Sequence, residues 1–223
     1  MVIRIAIPRT IAALATALAT ALAVAACARN PGPLTGLAGS MAQAKRDSVR
    51  YAYTRADIDF MTGMIAHHAQ AIVMAKWAPT HGASASVIRL TERIINAQTD
   101  EIAMMSRWLE DRRQPVPAPN PKGMTMMMNG MAHVMTMPGM LTDDQMAKLE
   151  SARGVEFDRH FLTYMIQHHR GAVGMVETLF ASTGAGQDET IFKFANDVQV
   201  DQSTEIVRMA QMVLEIGGPV RAP

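Results

Sequence analysis

Apolar positions recur at helical spacing in four stretches of the chain. In the first, Phe60, Met64, His67/His68, Ala71 and Met74 follow one another three to four residues apart. That is the pattern of one buried helical face. Ala78-Pro79 and Gly82 close the stretch, because proline cannot continue a helix. A second stripe runs through Ile88, Ile95, Ile102, Met105 and Leu109 to Arg113, with Ser84 or Ser86 as its cap. Thr142-Asp-Asp-Gln145 reads as a capping box that opens a third helical region. Gly154 kinks or interrupts that region, and Gly184-Ala-Gly186 ends it. The fourth helix spans Asp188 to Ile216 and stops at Gly217-Gly218-Pro219. No stretch alternates with period two between turn signals, so the pattern predicts no sheet.

The helical part is a duplication. Asp57, Phe60, Met64, Ile65, His67, His68, Ala71 and Met74 recur as Asp158, Phe161, Met165, Ile166, His168, His169, Ala172 and Met175, at a constant offset of 101. A weaker repeat follows: Gln98, Glu101 and Ile102 match Gln202, Glu205 and Ile206 at an offset of 104. Each copy is a helical hairpin too small to bury its own stripe. Packing the two together predicts an all-α, ferritin-like four-helix bundle with pseudo-twofold symmetry. The first hairpin takes residues 41–113 and the second 142–217. Between them, residues 114–141 form a Pro- and Met-rich linker, extended at first and then holding eight methionines in the seventeen positions 124–140.

The amino terminus has a different character. Arg4 and Arg9 precede an apolar run over residues 11–26, too short to span a membrane but suited to a signal peptide. Leu22-Ala-Val-Ala-Ala-Cys27 resembles a lipoprotein cleavage box, so residues 1–27 are expected to be a lipoprotein signal peptide with Cys27 acylated. A plain secretory signal with an incidental cysteine is the simpler alternative. Either one sends the chain across the cytoplasmic membrane, lipid-anchored in the first case and facing the periplasm or the cell exterior. Residues 28–40 read as a flexible tether.

Composition narrows the chemistry. Among 223 residues there are 20 methionines, seven histidines and one cysteine. One thiol can build neither a disulfide scaffold nor a thiolate zinc site. The net charge of +1, without a basic block, argues against nucleic acid as a partner. Thioether and imidazole remain, and together they suit soft ions, Cu(I) above all. Methionine binds without losing a proton and resists the oxidation that threatens thiolates outside the cytoplasm.

The candidate ligands are Met64, His67, His68 and Met74 in the first copy, and Met165, His168, His169 and Met175 in the second. Methionines on a helical stripe also serve as core filler. A lone buried histidine is usually structural, but two polar residues at matched positions of both copies are more than packing requires. Asp57 and Asp158 are helix-start carboxylates or acceptors behind an imidazole. Glu101 and Glu205 could hydrogen-bond the histidines or be solvated charges. Met126, Met128, Met131, His133, Met135 and Met137 of the linker are further candidate ligands. His81 is expected to be solvated in its turn, and His160 to pair with Glu156 on the surface.

Asp-x-x-Phe-x-x-x-Met-Ile-x-His-His, with the following Ala and Met and the later Gln-x-x-Glu-Ile, resembles the bacterial domain of unknown function 305 family over residues 50–113 and 142–215. The resemblance implies ferritin-like helical bundles, secreted or held in the envelope. The best-understood members of the family are copper-binding proteins of the CopM kind, which use Met and His and support copper tolerance. It implies metal-binding roles for Met64, His67, His68, Met165, His168 and His169. Leu162 departs from the first copy's Met61, so the halves need not bind alike.

The expected function is therefore that of a copper-binding envelope protein which sequesters Cu(I) or hands it to another envelope copper-handling protein. A metal-free interaction bundle is the alternative. An enzyme is not expected. A di-metal oxidase needs two Glu-x-x-His motifs, and Met64, Ile65, Met165 and Ile166 stand where those glutamates would be.

Overall fold

The computed structural model of the protein describes residues 53–217, together with Gly36 and Gly39. Expectations for the signal segment 1–27, for Cys27 and for the tether lie outside the described residues, Gly36 and Gly39 apart. Met1–Arg50 and Tyr51–Pro223 are separate units, and all the elements below belong to the second.

Helix α1, Arg55–Lys76, begins at a capping box: the Thr54 side chain accepts from the Asp57 amide, and the Asp57 carboxylate accepts from Thr54 N–H at 2.6 Å. This satisfies two donors that a helix start otherwise leaves open. A short 3-10 turn, Ala78–Thr80, follows where Pro79 breaks the helix. Helix α2, Ala85–Asp111, is capped by Ser84. Helix α3, Asp143–Ser151, opens at the predicted Thr142–Gln145 box. Gly154, at φ +59°, then separates it from helix α4, Gly154–Ala181. Helix α5, Glu189–Glu215, is capped by Asp188. No helix among the described residues is long and apolar enough to cross a membrane.

The linker corrects the expectation of no sheet. Strands β1, Met124–Met128, and β2, Met131–Met135, pair antiparallel. Asn129 and Gly130 connect them at φ +52° and +78°, the paired positive values that a two-residue hairpin turn matched to strand twist requires. Asn-Gly was the local signal for this turn. It was masked because methionine occupies both faces of β1, which abolishes the apolar–polar alternation of a half-buried strand. The fold is therefore mostly helical with a small antiparallel hairpin.

Helix α1 packs on α2, α4 packs on α5, and the two hairpins meet along α1 and α4. The buried apolar residues divide into two clusters. One joins Met74, Leu90, Ile94, Phe161, Met165 and Met209, and the other joins Met64, Met105, Met175, Val176, Phe194 and Val198. On every one of the four long helices a polar segment lies between the two: His67/His68, Gln98 to Glu101, His168/His169 and Gln202 to Glu205. The candidate chemistry thus sits as one layer between two apolar cores.

The duplicated aspartates lock the hairpins to each other. Asp57 of α1 accepts from Gly186 N–H at 2.7 Å, in the turn before α5. Asp158 of α4 accepts from Ser84 N–H at 3.2 Å, in the turn before α2. Each carboxylate therefore grips the opposite hairpin's turn, and neither touches a histidine. Asp57 thus sits in the first turn of its own helix, whereas Asp158, past the first turn of α4, serves the start of α2. Asp57→Asn puts an NH2 group among these N–H donors. It is expected to lower the unfolding free energy by about 2 kcal/mol in a urea titration, with the slope unchanged.

The candidate metal-binding layer

Helical spacing places His67 and His68 on either side of the α1 stripe, and His168 and His169 likewise on α4. All four side chains are fully buried. His67 and His168 face each other across the helix junction with ring centroids 3.8 Å apart and planes at 41°. His68 and His169 stand outside them, each 6.3 Å from its neighbour. The four imidazoles form a row through the middle of the protein.

Their hydrogen bonds define which nitrogens are open. His68 Nε2 lies 2.7 Å from Glu101 Oε2, and His169 Nε2 lies 2.8 Å from Glu205 Oε2. A carboxylate only accepts, so in both rings Nε2 carries a proton, and in the neutral form of each ring Nδ1 holds a lone pair. His67 Nε2 donates to the Pro138 carbonyl at 3.0 Å, with the same result. The Nδ1 atoms of all three are buried without a partner, and His168 has no partner at either nitrogen. The His67 backbone approaches the His168 ring, but not in hydrogen-bonding geometry. A neutral imidazole must carry one N–H, so His168 buries an unsatisfied donor, at a cost of about 1–3 kcal/mol.

Burial, more than any other cause, pushes His67 down to about 3, and the neighbouring His68 adds to the shift. Burial, followed by its neighbour His67, holds His168 well below its ordinary value. Both are thus neutral near pH 7, with lone pairs available to a cation. In the unfolded chain a histidine titrates near 6.5. The unfolded state therefore binds more protons below that pH, and stability must fall on acidification. For the metal-free protein the loss should begin below about pH 6.5 and reach about 1.4 kcal/mol per pH unit for each of the two residues. It should continue towards pH 3 for His67, as denaturant titrations across pH 3–7 can check.

Thioethers flank the row. Met64 and Met175 lie in one apolar cluster, and Met74 and Met165 lie in the other. The halves differ as Leu162 foreshadowed. Met61 is fully buried beside Met64, while Leu162 occupies its place in the other cluster. Among the described residues no group of three His, Cys, Asp or Glu could hold a metal ion. A site here would have to draw on methionine sulfur. The unpartnered nitrogens and neighbouring thioethers fit a soft ion of that kind, and Glu101 and Glu205 fix ring orientation as carboxylates do behind metal-bound histidines.

A strap from the linker covers the row on one side. Pro138 and Gly139 pass over Gly171, where an added Cβ would lie 2.0 Å from the Pro138 oxygen. Gln70 holds the strap, donating to the Pro121 and Leu141 carbonyls and accepting from Leu141 N–H at 2.7 Å. Gln167 donates to the Gly139 carbonyl. Sequence reasoning missed Gln70, whose counterpart in the second copy is Gly171. It noticed Gln98 and Gln202 only as repeat markers. Both are buried with an unpartnered Oε1, and their recurrence with each Glu was the available signal.

The remaining candidates lie elsewhere. Met126 is half-buried, while Met131, His133 and Met135 are exposed on the β-hairpin, and Met137 reaches the α1 surface at Gly63. The Met128 side chain lies outside what the structure describes. His81 is corrected from solvated to buried: Nε2 donates to the Glu150 carbonyl at 2.8 Å and Nδ1 meets Thr80 Oγ1 at 2.9 Å. His160 is likewise mostly buried, although it does approach exposed Glu156 at 3.8 Å.

Duplicated helical hairpins that join two His-His pairs in one buried row define the class, and the chain belongs to the domain of unknown function (DUF305) family, whose model matches residues 57–213. Among solved structures it is similar to a DUF305 protein of Streptomyces coelicolor described as secreted, with a TM-score of 0.62, 29% identity, and 75% of this chain and 98% of that one covered. It is also similar to CopM in its Cu(I)-bound form, with a TM-score of 0.56, 29% identity, and 73% and 98% covered. For CopM in its Cu(II)-bound form the TM-score is 0.54 and the identity 31%, over 71% and 96%. No match is found among curated proteins.

Proposed function

We propose that the protein is a copper-binding protein of the cell envelope, carried there by its signal segment and held by lipid at Cys27. Its two hairpins act as one ferritin-like four-helix bundle that sequesters Cu(I), or passes it to another envelope copper-handling protein, in support of metal tolerance. Met64, His67, His68, Met165, His168 and His169 supply the ligands, with Met74 and Met175 beside them. The role is binding, not catalysis.

The observation that carries this reading is His168, fully buried with both ring nitrogens unpartnered and its ring against His67. A side chain kept only for structure would have its donor satisfied. The similarity to copper-bound CopM supports the choice of ion. A metal-free interaction protein is favoured only by the His68–Glu101 and His169–Glu205 pairs, which satisfy one nitrogen of each ring but leave His168 unexplained. The test is an anaerobic competition between the purified chain and a coloured Cu(I) chelator. Withdrawal of the ion from the chelator is expected, and no withdrawal at any chelator affinity would overturn the reading.

A further inference from the structure

The β-hairpin stands apart from the buried row, and its register brings a second set of soft donors together. Met124 pairs with Met135, and Met126 pairs with His133. Directly opposed residues share a face, and so do residues two apart on one strand. These two neighbouring pairs therefore occupy the corners of a single patch: three thioethers and one imidazole. Cross-strand corners are about 5 Å apart at Cβ and diagonal ones about 7–8 Å. Methionine, unbranched with three rotatable bonds, can bring its sulfur from such a corner to a common centre. Met131 continues the same face towards the turn.

The other face is different. Thr125, Met127, Ala132 and Val134 hold it, and they offer one thioether and no imidazole. Burial is graded along the donor patch. Met124 is 9% exposed against the body, Met126 is half-buried, and Met135 is 45% exposed. The patch is open to solvent at one side and anchored at the other. Beyond Met135 the chain leads directly to Met137, whose sulfur lies 2.9 Å from the Cβ position of Gly63, beside the methyl end of Met175. Met140 Sδ lies 3.2 Å from the Met137 amide. Thioethers thus continue from the exposed hairpin to the Met61, Met64 and Met175 half of the interior.

We infer that Met124, Met126, His133 and Met135 form a second, surface site for a soft monovalent ion, distinct from the buried histidine row. A donor set of thioether sulfurs with one imidazole nitrogen prefers Cu(I) or Ag(I) to Zn(II) or Mg(II). Its position makes it the accessible site, where an ion meets the protein first.

The test compares three full-length chains in anaerobic Cu(I) titrations with a coloured chelator: the parent, a hairpin variant (Met126→Leu, His133→Gln, Met135→Leu) and a row variant (His67, His68, His168 and His169 to Ala). The hairpin substitutions keep volume at exposed or half-exposed positions, so circular dichroism and the melting temperature should stay at parent values. The hairpin variant is expected to bind one equivalent fewer than the parent, and the row variant to keep that equivalent. A hairpin variant that binds as many equivalents as the parent, equally tightly, would overturn the surface site while leaving the buried-row reading intact. Loss confined to the hairpin variant would overturn the buried row instead. No binding by the parent would overturn both.

Discussion

Replacing His168 with leucine is expected to make the metal-free protein more stable and the metal-binding protein much weaker. The ring sits fully buried with no well-formed hydrogen bond at either nitrogen, so its N–H has lost water for no more than a poorly aligned approach to the His67 backbone. Exchange for an apolar side chain of similar size removes that deficit and leaves only a modest repacking cost against the His67 ring. A gain of about 1–2 kcal/mol in denaturant unfolding is the expected result. Affinity for Cu(I) should fall at least 100-fold, beyond the 10- to 100-fold lost when only a partner behind a ligand is removed. His67→Leu should not behave this way, because its Nε2 serves the Pro138 carbonyl, and its removal strands an acceptor. Opposite signs for stability and binding at His168 would mark a residue retained for function. A stability loss of several kcal/mol there would show that the ring is structural.

Gly171 gives the second large effect. An added Cβ would lie 2.0 Å from the Pro138 oxygen and 2.6 Å from the Gly139 Cα. Both are backbone atoms, so no side chain can turn aside. Gly171→Ala must lift the strap, which weakens the Pro138 bond to His67 and the Gly139 bond to Gln167. The expected loss is about 3 kcal/mol, at the upper end of overpacking costs because two hydrogen bonds go with it. Gly174, three residues on in the same helix, has nothing within 4 Å of an added Cβ. Gly174→Ala should stabilise by about 0.5–1 kcal/mol through helix propensity alone. Equal effects at the two glycines would show that the strap does not constrain Gly171.

Much of this arrangement is legible in the sequence alone. The duplicated His-His motif, the proline and glycine breaks, Ser84 and the Thr142–Gln145 box all act within a few residues, and they lie where the pattern put them. The place of Asp57 in the first turn of its helix was legible too, whereas Asp158 lies beyond the first turn of α4. Their grip on the opposite hairpin's turn was not, because that contact joins residues 129 and 74 positions apart. The β-hairpin was hidden for a local reason: methionine on both strand faces removes the alternation that reveals a strand. The strap was hidden for a different one. Gln70 and Gly171 occupy the same position of the repeat, and comparing the two copies highlights what they share. What the strap exploits is where they differ.

The proposed copper binding rests first on whether the buried row holds the ion. The most direct measurement is an anaerobic Cu(I) competition titration in the hairpin-substituted background, with and without alanine at His67, His68, His168 and His169. The chain with its four histidines should draw Cu(I) from the chelator, and the chain without them should fail to, while remaining helical by circular dichroism. Equal withdrawal by both chains would contradict the buried Met and His layer as the site.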